Sequence, residues 1–461
     1  MKRTILAIAA ATGIAAAAGA QGALTTEMID RMAATVENTP SHRALRNAVR
    51  TGSLSSLARN ADNAGPVDSH FSHRVESRGI TDQQSSGRCW LFTGLNVLRA
   101  KMMARHDLDR LELSQNYNFF YDQLEKANLF LQSIIDTRRE PMSDRRVDWL
   151  FKNPLSDGGQ YTGFSENVMK YGVVPSEAWP ETYSSENTSE LRRLLSLKLR
   201  EDGLRLRDMK ATDKELQQQK LTMLAEIYRM LALTLGEPPR SFEWTRRNSA
   251  GEFVDRRTYT PQEFYAIYAD GENLRDNYVM LMNDPSRPYG RLYEIDLDRH
   301  LYDGDNWTFI NVDMATIKKA AIASIKDSAA MYFSCDVGKE IDRKRGLLDL
   351  DNYAWDDLFG TSFGMSKADR IRTFASASSH AMTLVAVDLD ADGKPTRWMV
   401  ENSWGPGPND GHLVMTDRWM DEYMFRLVVN KKYVDAQTLD ILRQKPEKLP
   451  AWDPMYMMVD K

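Results

Sequence analysis

The chain has 461 residues, 42% of them hydrophobic, with 10 Trp, 18 Tyr and 16 Phe. That is too long for one small domain and enough for two or three sizeable cores. A formal net charge of −5 leaves no electrostatic footprint for nucleic acid and argues against general DNA or RNA binding.

The first residues are Met1-Lys2-Arg3, then an Ala-rich apolar run, then Ala18-Gly19-Ala20. A charged start, a short apolar core and small residues at the end read as a secretory signal peptide over 1–20. Export is therefore expected, to the periplasm or the medium. No other stretch has the ~18 or more consecutive apolar residues of a membrane span. Residues 21–73 are polar, and Met28, Ile29 and Met32 suggest a short helix. They read as an arm packing over the core or a neighbouring subunit.

Next comes Asp82-Gln83-Gln84-Ser85-Ser86-Gly87-Arg88-Cys89-Trp90. Leu91, Leu95, Leu98 and Met102 continue it as one apolar stripe at helical spacing. Ser85, Ser86 and Gly87 are turn and cap residues, so Cys89 is expected at or beside the first helical turn. Free N–H groups and the positive dipole end there favour an anion, hence a thiolate, which is the nucleophilic form. Gln83, on the loop before the helix, can turn a side-chain N–H toward the same spot. With the Cys89 N–H it would form an oxyanion hole. Ser114 is expected to cap a helix from Tyr117 to Phe130.

Asp157-Gly158-Gly159-Gln160 follows, and paired glycines let another backbone approach closely. Residues 184–240 carry two short stripes among charges, Leu191, Leu194 and Leu195, then Leu224, Ile227 and Leu231, and end at Gly236. A helical insertion over 184–260 is expected. Met314 to Lys326 reads as a helix. Ala329 to Cys335 reads as a strand, with Cys335 a buried residue of it.

His380 opens a β-branched run that ends at Asp390-Ala391-Asp392-Gly393, a turn signal. Arg397 to Val400 then leads into Glu401-Asn402-Ser403-Trp404-Gly405. A regular hairpin centred on Ala391 would set His380 opposite Asn402, at Cβ distances of roughly 4.5–5.5 Å. The Asn402 oxygen would accept from one imidazole N–H and fix the tautomer, leaving the other nitrogen for Cys89. Trp404, two residues on, faces the same side and is expected to cover that bond. Trp90 is expected in the core. The other histidines are scattered and read as structural or surface residues. No metal-ligand cluster and no phosphate loop is evident.

Gln-x5-Cys-Trp, then His-Ala, then Asn-Ser-Trp-Gly, in that order, resembles the papain-like cysteine peptidases. Ser-Ser-Gly-Arg-Cys-Trp-Leu-Phe at 85–92, Asp-Gly-Gly-Gln at 157–160, Cys-Asp-Val-Gly-Lys at 335–339, Val-Glu-Asn-Ser-Trp-Gly at 400–405 and Pro-Ala-Trp-Asp-Pro-Met at 450–455 are similar to the bleomycin hydrolase and aminopeptidase C branch. The resemblance implies an α+β, papain-like two-lobed fold. Its parts are a helical lobe over 74–183 carrying Cys89, the insertion, a β-rich, barrel-like lobe over 261–449 carrying His380 and Asn402, and a tail over 450–461 reaching the cleft. It further implies peptide substrates, no metal or organic cofactor, and a homohexameric ring. Asp157, Gly158 and Gly159 would lie along the substrate, and the Lys461 carboxylate would meet the substrate's N-terminal ammonium. The tail after Met455 is bulkier than the family's Gly- and Ala-containing end. An endopeptidase or dipeptidyl-type peptidase therefore stands as one alternative, and an inactive ring-forming scaffold as another.

Overall fold

The chain's computed structural model describes residues 22–455. The expected signal peptide and the Lys461 terminus lie outside the described residues. Two compact units are present. The first is the N-terminal segment through Arg59 together with Trp355–Gly360. It holds helices Thr26–Ala33, Pro40–Thr51 and Leu54–Ala58, each opened by a hydroxyl cap from Thr25, Thr39 or Ser53. Met28, Ile29 and Met32 lie on the first of these, as expected from their spacing.

The second unit contains everything else. Its helical part is built on Cys89–His106, Gln115–Asp136 and Tyr161–Tyr171. Ser114 caps the second of these through the Tyr117 N–H at 3.1 Å. Helices Thr188–Asp208 and Asp213–Leu235 pack on Gln115–Asp136. Leu195, Leu199, Ile227 and Leu231 are fully buried there, each contributing roughly 1.5–3 kcal/mol by leaving water. The insertion is not helical to its end. Phe242–Arg247 and Phe253–Tyr259 form an antiparallel hairpin. Phe242, Trp244 and Tyr259 are buried against Phe264 and Tyr268, so alternation wins over the preceding helical period.

The β part is one large sheet. Its antiparallel centre runs in the order Tyr278–Met282, Met424–Asn430, Met331–Cys335, His380–Leu389, Pro395–Glu401, His412–Thr416. Helix Met314–Lys326 packs on it. Cys335 is buried opposite His380. Among the described residues, no helix is long and apolar enough to cross a membrane.

Two places join the helical part to the sheet. The Cys89 helix lies on the His380 strand. Beside it, the Gln83 N–H donates to the Ser403 carbonyl at 2.9 Å and the Gly405 N–H to the Thr81 carbonyl at 3.1 Å. Below that seam Arg99 and Glu401, both buried, pair at 2.8 Å.

Candidate active site

Cys89 is the first residue of its helix. The cap residue is Arg88, whose side chain makes no cap bond. Ser85, Ser86 and Gly87 are loop, not cap, because Arg88 is needed as an anchor. Its guanidinium is fully buried, paired with Glu181 at 2.7 Å and set over Phe92 and Phe119. Gly87 comes so close to Asp157 that a Cβ would stand 2.7 Å from the carboxylate. Only glycine lets its N–H reach Asp157 Oδ2, at 2.8 Å. These two ties fix the backbone that presents the sulfur.

The sulfur is buried, and the backbone N–H groups of Ala381 and Trp90 act to lower its pKa. Ala381 is the neighbour of His380, so the Cys89 sulfur lies against the start of the His380 strand. His380 Nε2 is 2.8 Å from Asn402 Oδ1. The Ser403 N–H donates to that same oxygen at 2.8 Å. The atom is thereby an acceptor, Nε2 carries a proton, and Nδ1 is the nitrogen left over. Trp404 lies over the imidazole at 4.9 Å between centroids and 27° between planes.

The hairpin achieves this with a register other than the expected one. Thr383 pairs with Glu401 and Leu384 with Val400, which aligns His380 with Trp404 rather than Asn402. Gly393, at φ +77°, lets the turn close between Asp390 and Lys394, one residue later than Ala391. His380 thus reaches Asn402 diagonally, a distance that long side chains span, and its ring stacks on the residue across from it.

Gln83 is buried and gripped at both ends of its amide. Oε1 accepts from the Ser403 hydroxyl at 2.6 Å, and Nε2 donates to the Ser86 carbonyl at 2.6 Å. An amide nitrogen has two protons, so one N–H of Gln83 remains for an oxyanion. Ser403 was not singled out from the sequence, although it lies inside the Asn-Ser-Trp-Gly motif.

Burial dominates the electrostatics. It pushes the Cys89 thiol up to about 11, against the Ala381 and Trp90 N–H groups. It pushes His380 down to about 4, against its bond to Asn402. Burial thus favours the neutral form of each group.

Asp157 serves the framework. Besides Gly87 it accepts from the Thr188 hydroxyl, and its carbonyl accepts from the Trp90 indole at 2.9 Å. Trp90 is fully buried, as expected. Gly158 has both backbone groups in use, with Ser156 and Lys126. Gly159 is the partly exposed member of the pair. A cavity of about 190 Å³ borders Gly158, Gly159, Lys126 and His300. Neither Cys89 nor His380 lines it, so it is not where a bond to sulfur would form.

The model of the Peptidase C1-like family matches residues 23–456. Aminopeptidase C of Listeria monocytogenes is 38% identical over 438 residues, covering 94% of this chain and 99% of that protein. Bleomycin hydrolase of Homo sapiens is 40% identical over 399 residues, 84% of this chain and 88% of the relative. The crystal structure of PepW from Lactobacillus rhamnosis superposes with a TM-score of 0.91 at 38% identity, covering 95% of this chain and all of that one. A match of this length, on a fold with helices on one side of the Cys89 seam and sheet on the other, places the chain in the Peptidase C1-like family as a papain-like cysteine peptidase of the aminopeptidase C and bleomycin hydrolase branch.

Proposed function

We propose that the chain is an exported aminopeptidase that removes residues from the N-terminus of peptides through an acyl-enzyme. Cys89 passes its proton to His380 Nδ1 as the sulfur attacks the carbonyl. The Cys89 N–H and the spare Gln83 N–H receive the oxyanion. His380 returns the proton to the departing amine, then activates water to release the acyl group. Asn402 keeps the ring in the required tautomer throughout. Gly159 offers backbone groups to the substrate, and the tail ending at Lys461 limits how much peptide precedes the cut.

The observation that carries this reading is Cys89 buried at the first turn of a helix that packs on the His380 strand, with His380 held by Asn402 at 2.8 Å. The names of the relatives, aminopeptidase C and bleomycin hydrolase, support the choice of end. Cys89→Ala is expected to keep the circular dichroism of the parent and lose turnover. Retained hydrolysis refutes the assignment. Peptides with free and acetylated N-termini, read by mass spectrometry, separate an aminopeptidase from an endopeptidase. Deleting Met457 to Lys461 shifts cutting inward if the tail is the ruler. The N-terminal sequence of the mature protein tests export, and its mass in solution tests the hexameric ring.

A further inference from the structure

The proposed reaction needs a place for the half of the substrate that leaves. The departing amine must be at His380 Nδ1 to collect its proton, since Nε2 is held by Asn402. The residue carrying that amine therefore starts beside His380 and Trp404. The indole of Trp404 is stacked on the imidazole and partly open to solvent. Over the indole lies a cation. Arg343 places its guanidinium carbon 4.7 Å from the ring centroid. With 4.9 Å between the Trp404 and His380 rings, the guanidinium is within about 10 Å of the imidazole.

Arg343 is exposed. It extends from the turn between the short strands Ile341–Asp342 and Leu347–Leu348, beside Lys344. The nearby carboxylate of Asp82 is already engaged by the backbone and side-chain N–H groups of Gln84, at 2.9 Å each. A flat indole under a guanidinium fixes its plane and leaves its N–H edges to face outward. Those edges suit a carboxylate in a bidentate approach. One extended residue advances roughly 3.3 Å, so a carboxylate on the first leaving residue, plus its side-chain reach, falls within range.

We propose that Arg343 selects substrates with a carboxylate on the residue immediately after the cleaved bond, using Trp404 as its platform. This rests on the peptidase reading above and adds a preference on the leaving side. Two chemical sources give that carboxylate: an Asp or Glu side chain, or the free C-terminus of a dipeptide.

The test compares the parent, Arg343→Gln and Arg343→Lys on matched substrates with a free N-terminus. One pair has Asp or Asn after the scissile bond in an amidated tripeptide. The other is a dipeptide and its C-terminal amide. The parent is expected to favour at least one carboxylate member by about five-fold in kcat/KM, the size of an exposed ion pair. Which pair shows it identifies the source. The preference should fade at 1 M salt, where screening is short-ranged. Arg343→Gln should bring the ratio to about one while neutral substrates keep their rate, and Arg343→Lys should keep part of it. No preference in the parent, a preference that survives in Arg343→Gln, or an equal loss on all substrates overturns the proposal. Turnover of the neutral members by the parent reports on the peptidase reading itself, and the ratio alone reports on Arg343.

Discussion

Two buried histidines in this molecule have nearly the same surroundings and opposite prospects. His380 bonds Asn402 at 2.8 Å and stacks on Trp404. His300 bonds Asp122 at 2.5 Å and meets Trp90 edge-on at 5.0 Å. Burial lowers the pKa of both. The difference lies in the partner. Asn402 is neutral, so a proton can arrive at the second nitrogen of His380 and leave again without disturbing a buried charge. Asp122 is charged, and Lys126 pairs with it at 2.8 Å. His300 is therefore a wedge in a fixed charge network. Gly159 and Gly163 press against its ring so closely that a Cβ at either would overlap it. His380 has a neutral amide behind it, whereas His300 is bonded to a charged carboxylate and wedged between two glycines.

That contrast can be broken in graded ways. Replacing His380 by Ala removes the proposed proton acceptor. Peptidase kcat/KM should drop by up to about 10⁴-fold with the melting curve little changed. A similar activity loss in His300→Ala, with an intact fold, would erase the distinction. Asn402→Ala leaves a buried N–H unpaired, a loss of about 1–3 kcal/mol, and is expected to lower kcat/KM by roughly ten- to a hundred-fold. Normal kinetics in that variant would show that the ring holds its tautomer unaided. Gly163→Ala tests the other histidine. Overpacking against His300 should cost about 1–3 kcal/mol of stability, visible as a lower denaturant midpoint, with kcat retained in the folded fraction.

The smallest effect concerns pH. Only the neutral ring can take the thiol proton, so activity should fall as pH drops through about 4, where His380 protonates. Trp404→Ala admits water to the ring and weakens the burial that holds its pKa down. The acid limb of the kcat/KM profile should then move up toward the ordinary imidazole value of about 6.5. A limb that stays in place would assign the shift to other walls of the site.

The sequence made some of this legible. Cys89, His380 and Asn402 could be proposed together because their local signals are strong: a helix start, a β-branched run and a turn between two strands. The influence of the Ala381 N–H on the sulfur could not, because Ala381 is far from Cys89 along the chain. The hairpin pairing was misplaced because a turn signal spanning several residues does not say which of them closes it. Gly393 at positive φ decides that. The Phe242–Tyr259 hairpin was hidden under a helical stripe that ends just before it. Asn248 and Gly251 between alternating apolar residues were the cue available. The unlike roles of His300 and His380 were partly visible, since only His380 stood in a motif. The Asp122 bond, across 178 residues, exists only in the fold.

The Arg99–Glu401 pair ties the helical part to the sheet. It bridges the helix that carries the sulfur to the residue just before Asn402, and it does so away from water. Losing one partner strands the other charge, at a cost of about 3–5 kcal/mol. The helical part and the sheet are thus tied together through the residue just before Asn402. Gradual loosening there is penalised, so heat should abolish turnover and separate the halves in the same step, without an intermediate stage of weakened activity.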